Sequence, residues 1–125
     1  MSGERPTSLD GLRVLIVEDQ FLIADDMRRA VTALGAEVVG PCATVDDAIA
    51  KLKSEPVQFG LLDLSLRGEQ VLPVADEMIR RGVPFAFATG YEEWVIPAKY
   101  HGHPRIEKPA SSSALREVLE GGLKR

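Results

Sequence analysis

Five polar residues stop short apolar runs in this sequence, and their types point to one chemistry. Glu18 and Asp19 end the run 12–17, Asp63 ends 57–62, Thr89 ends 84–88, and Lys108 follows the short segment 105–107. If these runs are neighbouring strands, three carboxylates, a hydroxyl and an ammonium converge on one edge of a sheet. Carboxylates about 4 Å apart repel by roughly 4 kcal/mol at an effective dielectric near 20, so such a cluster calls for a cation. Oxygen-only donors that leave room for water suit Mg²⁺ (or Mn²⁺) better than Zn²⁺. A carboxylate can also attack phosphorus and form an aspartyl phosphate. The equatorial oxygens of the metaphosphate-like transition state then need partners, which a metal, Lys108, and the Thr89 hydroxyl with backbone N–H groups could supply. Asp63, alone at the end of its run, is the candidate nucleophile. Glu18 and Asp19 are the candidate metal holders.

The elements that must position these residues are legible from periodicity. Residues 12–17 are β-branched and apolar, as a strand covered on both faces would be. Met27, Ala30, Val31 and Leu34 recur at helical spacing, and Gly35 is the expected stop. A second strand is expected over 37–40. Thr44 reads as the N-cap of a second helix, with Val45, Ala48, Ile49 and Leu52 inward. A third strand over 57–62, a turn around Gly68, and a helix carrying Val71, Ala75, Met78 and Ile79 follow, the helix closed by Gly82. The fourth strand spans 84–88. Pro97 breaks any helix over 91–100, so that stretch is expected to be irregular. Ser111 or Ser112 caps a last helix with Leu115, Val118 and Leu119 inward, stopped by Gly121-Gly122. Strands alternating with helices imply an α/β fold, a parallel sheet with helices on both faces and its functional groups at the strand carboxyl ends.

Composition bounds the rest. The 125 residues predict one domain with about five helices, a polar tail over 1–10 and no effector domain. A formal charge of −4 from 19 acids and 15 bases argues against a nucleic-acid partner. No run approaches the roughly 18 apolar residues of a membrane span, and the polar start lacks a signal-peptide core, so a cytoplasmic location is expected. The single cysteine, Cys42, excludes an intrachain disulfide and reads as a small buried hydrophobe.

Four motifs, Val-Glu-Asp at 17–19, Leu-Leu-Asp-Leu at 61–64, Ala-Thr-Gly at 88–90 and Glu-Lys-Pro at 107–109, resemble the receiver domain of bacterial two-component response regulators. The resemblance covers about residues 12–119. It implies a flavodoxin-like, doubly wound five-stranded parallel sheet of order 2-1-3-4-5, with the receiver domain at 11–122. It implies phosphoryl transfer from the histidine of a sensor kinase to Asp63. It also implies metal contacts from Asp19, Asp63 and the Ser65 main-chain carbonyl, Glu18 acting mainly through water, and a cis Lys108–Pro109 bond. Phe87-Ala88-Thr89-Gly90-Tyr91 further resembles the subgroup nicknamed "FAT GUY", associated with bacterial stress and sensory circuits and with kinases of the HWE/HisKA2 type. Such a protein catalyses its own phosphorylation and dephosphorylation and is not a conventional turnover enzyme. Its output would be contact with a downstream protein or a phosphotransfer protein, or phosphate drainage.

Two departures stand out. Arg105 occupies the position where many receivers carry a switch aromatic, so Tyr91, Trp94 and Tyr100 are alternative partners for Thr89. Arg67-Gly68 replaces a common Pro-Gly and adds a positive charge beyond Asp63. Tyr91 and Ser65, each two residues past a site residue, are expected to tune the lifetime of the phosphoryl group. His101 and His103, in a Gly/Pro loop, read as solvated rather than as a metal pair. Arg28 and Arg29 read as a solvated helix face. A pseudo-receiver that only binds partners is the alternative reading. An aspartate phosphatase would want a second acid where Ser65 stands, and a dinucleotide binder would want a glycine-rich turn where Glu18-Asp19 stand.

Overall fold

A computed structural model describes residues 9–90 and 96–123. Its first strand, β1 (Arg13–Val17), is wholly inaccessible from Val14 to Val17, as an apolar run with no polar alternation demands. It leads into α1 (Phe21–Ala33), which ends at Leu34 before Gly35. Strand β2 (Glu37–Cys42) runs two residues past its expected end, because a register shift between Leu15 and Val17 of β1 absorbs the Gly40-Pro41 step and lets Cys42 pair with Val17. Cys42 is buried and free. The Thr44 hydroxyl accepts from the Asp47 amide at 3.1 Å and starts α2 (Val45–Ser54).

Strand β3 (Phe59–Asp63) is buried at every position, so Asp63 is itself the last residue of a core strand. The turn expected around Gly68 proves to be a hairpin, β4 (Ser65–Leu66) pairing antiparallel with β5 (Glu69–Gln70). Helix α3 (Leu72–Arg81) is closed by Gly82 at φ +72°. Its buried stripe is Val74, Ala75 and Met78; Ile79, expected inward, is 45% exposed. The correction is one of phase, since Val71 lies before the helix and Val74 takes the inward position. Strand β6 (Phe85–Thr89) is again fully buried. Between it and β7 (Arg105–Glu107), the described residues hold a 3₁₀ turn at Ala98–Tyr100. Helix α4 (Ser112–Leu123) is capped by the Ser111 hydroxyl, which accepts from the Ala114 amide at 3.1 Å.

The five long strands form one parallel sheet in the order β2-β1-β3-β6-β7, which is 2-1-3-4-5 once the hairpin is set aside. Alternation along each strand divides the core. Leu15, Val17, Leu62, Phe85 and Phe87 pack on the side of α2 and α3, whereas Val14, Ile16, Leu61, Ala86 and Ala88 pack on the side of α1 and α4. Leu9 is 3% exposed and joins the second layer, so packing begins two residues before the expected boundary at 11.

Two expectations are corrected here. Gly121-Gly122 do not stop α4, which continues to Leu123. Gly122 instead lets the helix approach the Phe59 ring, since a methyl group there would collide with two ring carbons, while Gly121 faces open space. His103 is not simply solvated: it stacks on Phe85 with ring centroids 4.3 Å apart, and His101 Nε2 lies 2.7 Å from the Ile96 carbonyl. Gly121→Ala should therefore raise stability by about 0.5 kcal/mol through helix propensity. Gly122→Ala should lower it by roughly 1–3 kcal/mol through overpacking, both read as shifts of the urea midpoint.

Candidate functional site

Parallel pairing brings the carboxyl ends of β1, β3, β6 and β7 to one edge, and the strand-end polar groups meet there. Glu18 directly follows β1, and its amide donates to the Cys42 carbonyl at 2.9 Å. Its side chain is fully inaccessible. Glu18 Oε2 accepts from the Gln20 amide at 3.2 Å and Oε1 accepts from Lys108 Nζ at 2.9 Å. The same ammonium donates to Asp63 Oδ1 at 3.0 Å. Lys108 is itself placed by its amide, which donates to the Thr89 carbonyl at 2.9 Å. The Lys108–Pro109 peptide is cis, as the resemblance implies, and so is Gly40–Pro41.

Asp19 completes the group. Carboxylate oxygens of Glu18, Asp19 and Asp63 all lie within 4.8 Å of one another. One buried ammonium shared by two of three carboxylates leaves the cluster strongly negative. Burial pushes the Asp63 carboxyl up to about 6, helped by the nearby Glu18 charge and opposed by Lys108. For Lys108, burial works against the charge, but hydrogen bonds to Glu18 and Asp63 outweigh it and hold the ammonium above its ordinary range. The donor set is oxygen-only, clustered and under-neutralised, so it fits a hard divalent cation such as Mg²⁺.

Thr89 is buried, and its hydroxyl donates to the Ile106 carbonyl at the long distance of 3.5 Å. Strand alternation sets Thr89 on the face of Phe85 and Phe87, opposite to that of Leu61 and Asp63. Arg105 is exposed on β7, opposite Phe87 in register. Of the three alternative aromatics, Tyr100 is 3% exposed. Its ring meets Phe87 edge-on at 5.9 Å, and its hydroxyl donates to Asp76 Oδ1 on α3 at 2.6 Å. Tyr91 and Trp94 lie outside the described residues. Ser65 opens β4, two residues beyond Asp63.

Periodicity alone missed what orients Asp19. The Arg67 amide donates to Asp19 Oδ2 at 2.6 Å, from the tip of the β4–β5 hairpin. The hairpin is anchored in turn by Glu69, whose Oε2 accepts from the Val45 amide at the start of α2 at 3.0 Å. The Arg67-Gly68 pair between Leu66 and Glu69 was the available signal, because a two-residue turn carrying glycine closes a hairpin. Arg28 and Arg29 both pair with Asp25 on α1, and Arg28 and Asp25 line one cavity with Glu18 and Asp19.

Among the described residues, no helix is long and apolar enough to cross a membrane. No family model matches the chain. It is 36% identical over 116 residues to the phyllosphere-induced regulator PhyR of Methylorubrum extorquens, covering 88% of this chain and 43% of that protein. The chain thus spans less than half the length of the curated relatives it matches. Its structure superimposes on SdrG of Sphingomonas melonis Fr1 with a TM-score of 0.81 at 31% identity, covering 92% of this chain and 98% of that one. Against the BeF₃-activated conformation of SdrG the TM-score is 0.76, at 31% identity over 89% of this chain and 94% of that one. The signal receiver domain of a putative Luxo repressor protein from Vibrio parahaemolyticus shares the fold at 23% identity, with a TM-score of 0.79 over 92% of both chains. On its sheet order, its strand-end acids and its likeness to SdrG across nearly the whole length of both chains, this chain belongs to the response regulator receiver domains.

Proposed function

We propose that this receiver accepts a phosphoryl group on Asp63 from the phosphohistidine of a sensor histidine kinase, in a Mg²⁺-dependent reaction. The observation that carries the reading is the placement of Asp63. It ends a buried central strand, accepts from Lys108 at 3.0 Å, and lies with Glu18 and Asp19 in one acid cluster. An Asp63 carboxylate oxygen attacks phosphorus while the bond from phosphorus to the imidazole nitrogen breaks, and the imidazole keeps that electron pair. Asp19, Asp63 and the Ser65 main-chain carbonyl would hold the metal, with Glu18 acting through water. The bound ion would neutralise charge on a phosphoryl oxygen. Lys108 stabilises a second oxygen. Thr89 would turn from its long contact with the Ile106 carbonyl to donate to a third. Water later hydrolyses the acyl phosphate, and the receiver resemblance makes positions 65 and 91 the ones that would set its lifetime, so chemistry here is self-modification rather than turnover.

Exposed Phe21 and Leu22, at 80% and 75% accessibility, stand on the first turn of α1 directly after Glu18-Asp19. They support docking of the phosphodonor on this side. The signature at 87–91 and the likeness to PhyR and SdrG support a FAT GUY receiver in a cytoplasmic stress or sensory pathway, served by a kinase of the HWE/HisKA2 type. Its output is contact with a downstream or phosphotransfer protein, or drainage of phosphate. The intact acid set weighs against a purely binding pseudo-receiver.

Acetyl phosphate with Mg²⁺, or a phosphorylated kinase, should label the parent, and Asp63→Ala should take up no label; an unchanged signal from that variant refutes the assignment. Tyr91→Ala should lose its phosphoryl group faster than the parent, measured as the half-life of the labelled protein. Metal-free stability offers an independent check. Because the folded state holds the Asp63 proton up to about pH 6 whereas an unfolded aspartate releases it near 3.8, folding takes up a proton between those values. The stability of the metal-free parent should therefore fall as pH rises from about 4 to 6. Asp63→Asn should flatten that slope and raise metal-free stability near pH 7 by roughly 1–2 kcal/mol, read by urea unfolding. Saturating Mg²⁺ should reverse the order of the two proteins.

A further inference from the structure

The β4–β5 hairpin brings a second cation to the acid cluster. Lys108 reaches it from inside the fold, with its side chain 16% exposed. Arg67 reaches it from solvent, with its side chain 85% exposed and its Nε 3.9 Å from Asp19 Oδ2. Two different groups of Arg67 therefore face Asp19. The backbone N–H, 2.6 Å from that oxygen, is a fixed donor. It is fixed because Leu66 is buried, the Val71 amide closes on the Leu64 carbonyl at 3.2 Å, and Glu69 anchors the hairpin to α2. Gly68, at φ +81°, supplies the left-handed turn residue that holds the tip in this place. The guanidinium, by contrast, makes only a loose ion pair and stays largely hydrated.

These two groups have separable effects. The amide orients the Asp19 carboxylate without adding a full charge. The guanidinium places a positive charge at the solvent side of the cluster, where an arriving divalent cation meets repulsion and an arriving anion meets attraction. We propose that Arg67 is a charge selector at the mouth of the acid cluster, weakening capture of Mg²⁺ and favouring capture of small anionic phosphodonors. The proposal rests on the phosphoreceiver reading of the same site and adds a residue that sets its cation affinity and donor preference. Its signature is an opposite effect on two ligands, which damage to the fold would not produce.

The test uses the full chain, with Arg67→Gln to remove the charge and Arg67→Lys to restore it. Calorimetric titration with Mg²⁺ at low salt should show Arg67→Gln binding about threefold to tenfold tighter than the parent, the scale of one exposed charge acting over a few ångströms. Arg67→Lys should bind like the parent. At saturating Mg²⁺, the acetyl phosphate concentration giving half-maximal labelling should rise by a similar factor in Arg67→Gln. Both differences should shrink at about 1 M salt, where the screening length falls to roughly 3 Å. Equal Mg²⁺ affinity in parent and Arg67→Gln overturns the role of Arg67 and leaves the phosphoreceiver reading standing, as does a change of both ligands in the same direction. A parent that binds no Mg²⁺ at all overturns both.

Discussion

One ammonium ties the edge of this sheet together. Lys108, just past the shortest strand of the five, donates to Glu18 behind β1 and to Asp63 at the end of β3. Those three elements are not sheet neighbours throughout, since β6 lies between β3 and β7. The backbone holds the lysine in place to span the gap, its amide donating to the Thr89 carbonyl at 2.9 Å. Without it, two buried carboxylates would face each other with no counter-charge, an arrangement that costs several kcal/mol per buried ion. Even with it, burial, helped by the neighbouring Glu18 charge, holds the Asp63 proton well above the usual carboxylate range.

This residual charge connects folding to function. A buried carboxylate that is costly when charged gains most from a cation arriving at the same place, so the stability lost in building such a site would return on binding one. Lys108 and Arg67 divide the work by position. Lys108 is inside, half of a hydrogen-bonded bridge, while Arg67 is outside and hydrated. The β4–β5 hairpin makes this division possible by holding Asp19 through a backbone amide rather than a charged side chain.

The same geometry carries a route away from the site. Thr89 shares a strand face with Phe87, Phe87 packs edge-on against Tyr100, and Tyr100 bonds to Asp76 of α3. With arginine at position 105, the aromatic buried in this region among the described residues is Tyr100, anchored through α3 rather than through β7.

Much of this architecture is legible in the order of residues alone. Apolar runs of five or six residues ended by acids announce a doubly covered parallel sheet and its reactive edge, because burial on both faces removes polar alternation and leaves polarity only at strand ends. Turn chemistry marks Gly35, Thr44 and Gly82, since caps and helix stops depend on neighbouring residues alone. What periodicity could not place were contacts between distant segments. Gly121-Gly122 read locally as a stop, yet Phe59 of β3 turns Gly122 into a close-packing position within the helix. Ile79 and Val74 fit a helical stripe almost equally, and only the sheet beneath α3 chose between them. Arg67 reads as a stray charge, and its amide finds Asp19, 48 residues away, only once the hairpin is anchored to α2. Residue type and local spacing thus determined which elements form and which groups can do chemistry. Tertiary packing decided which of those groups touch, because burial, shared protons and fields depend on distance in space rather than along the chain.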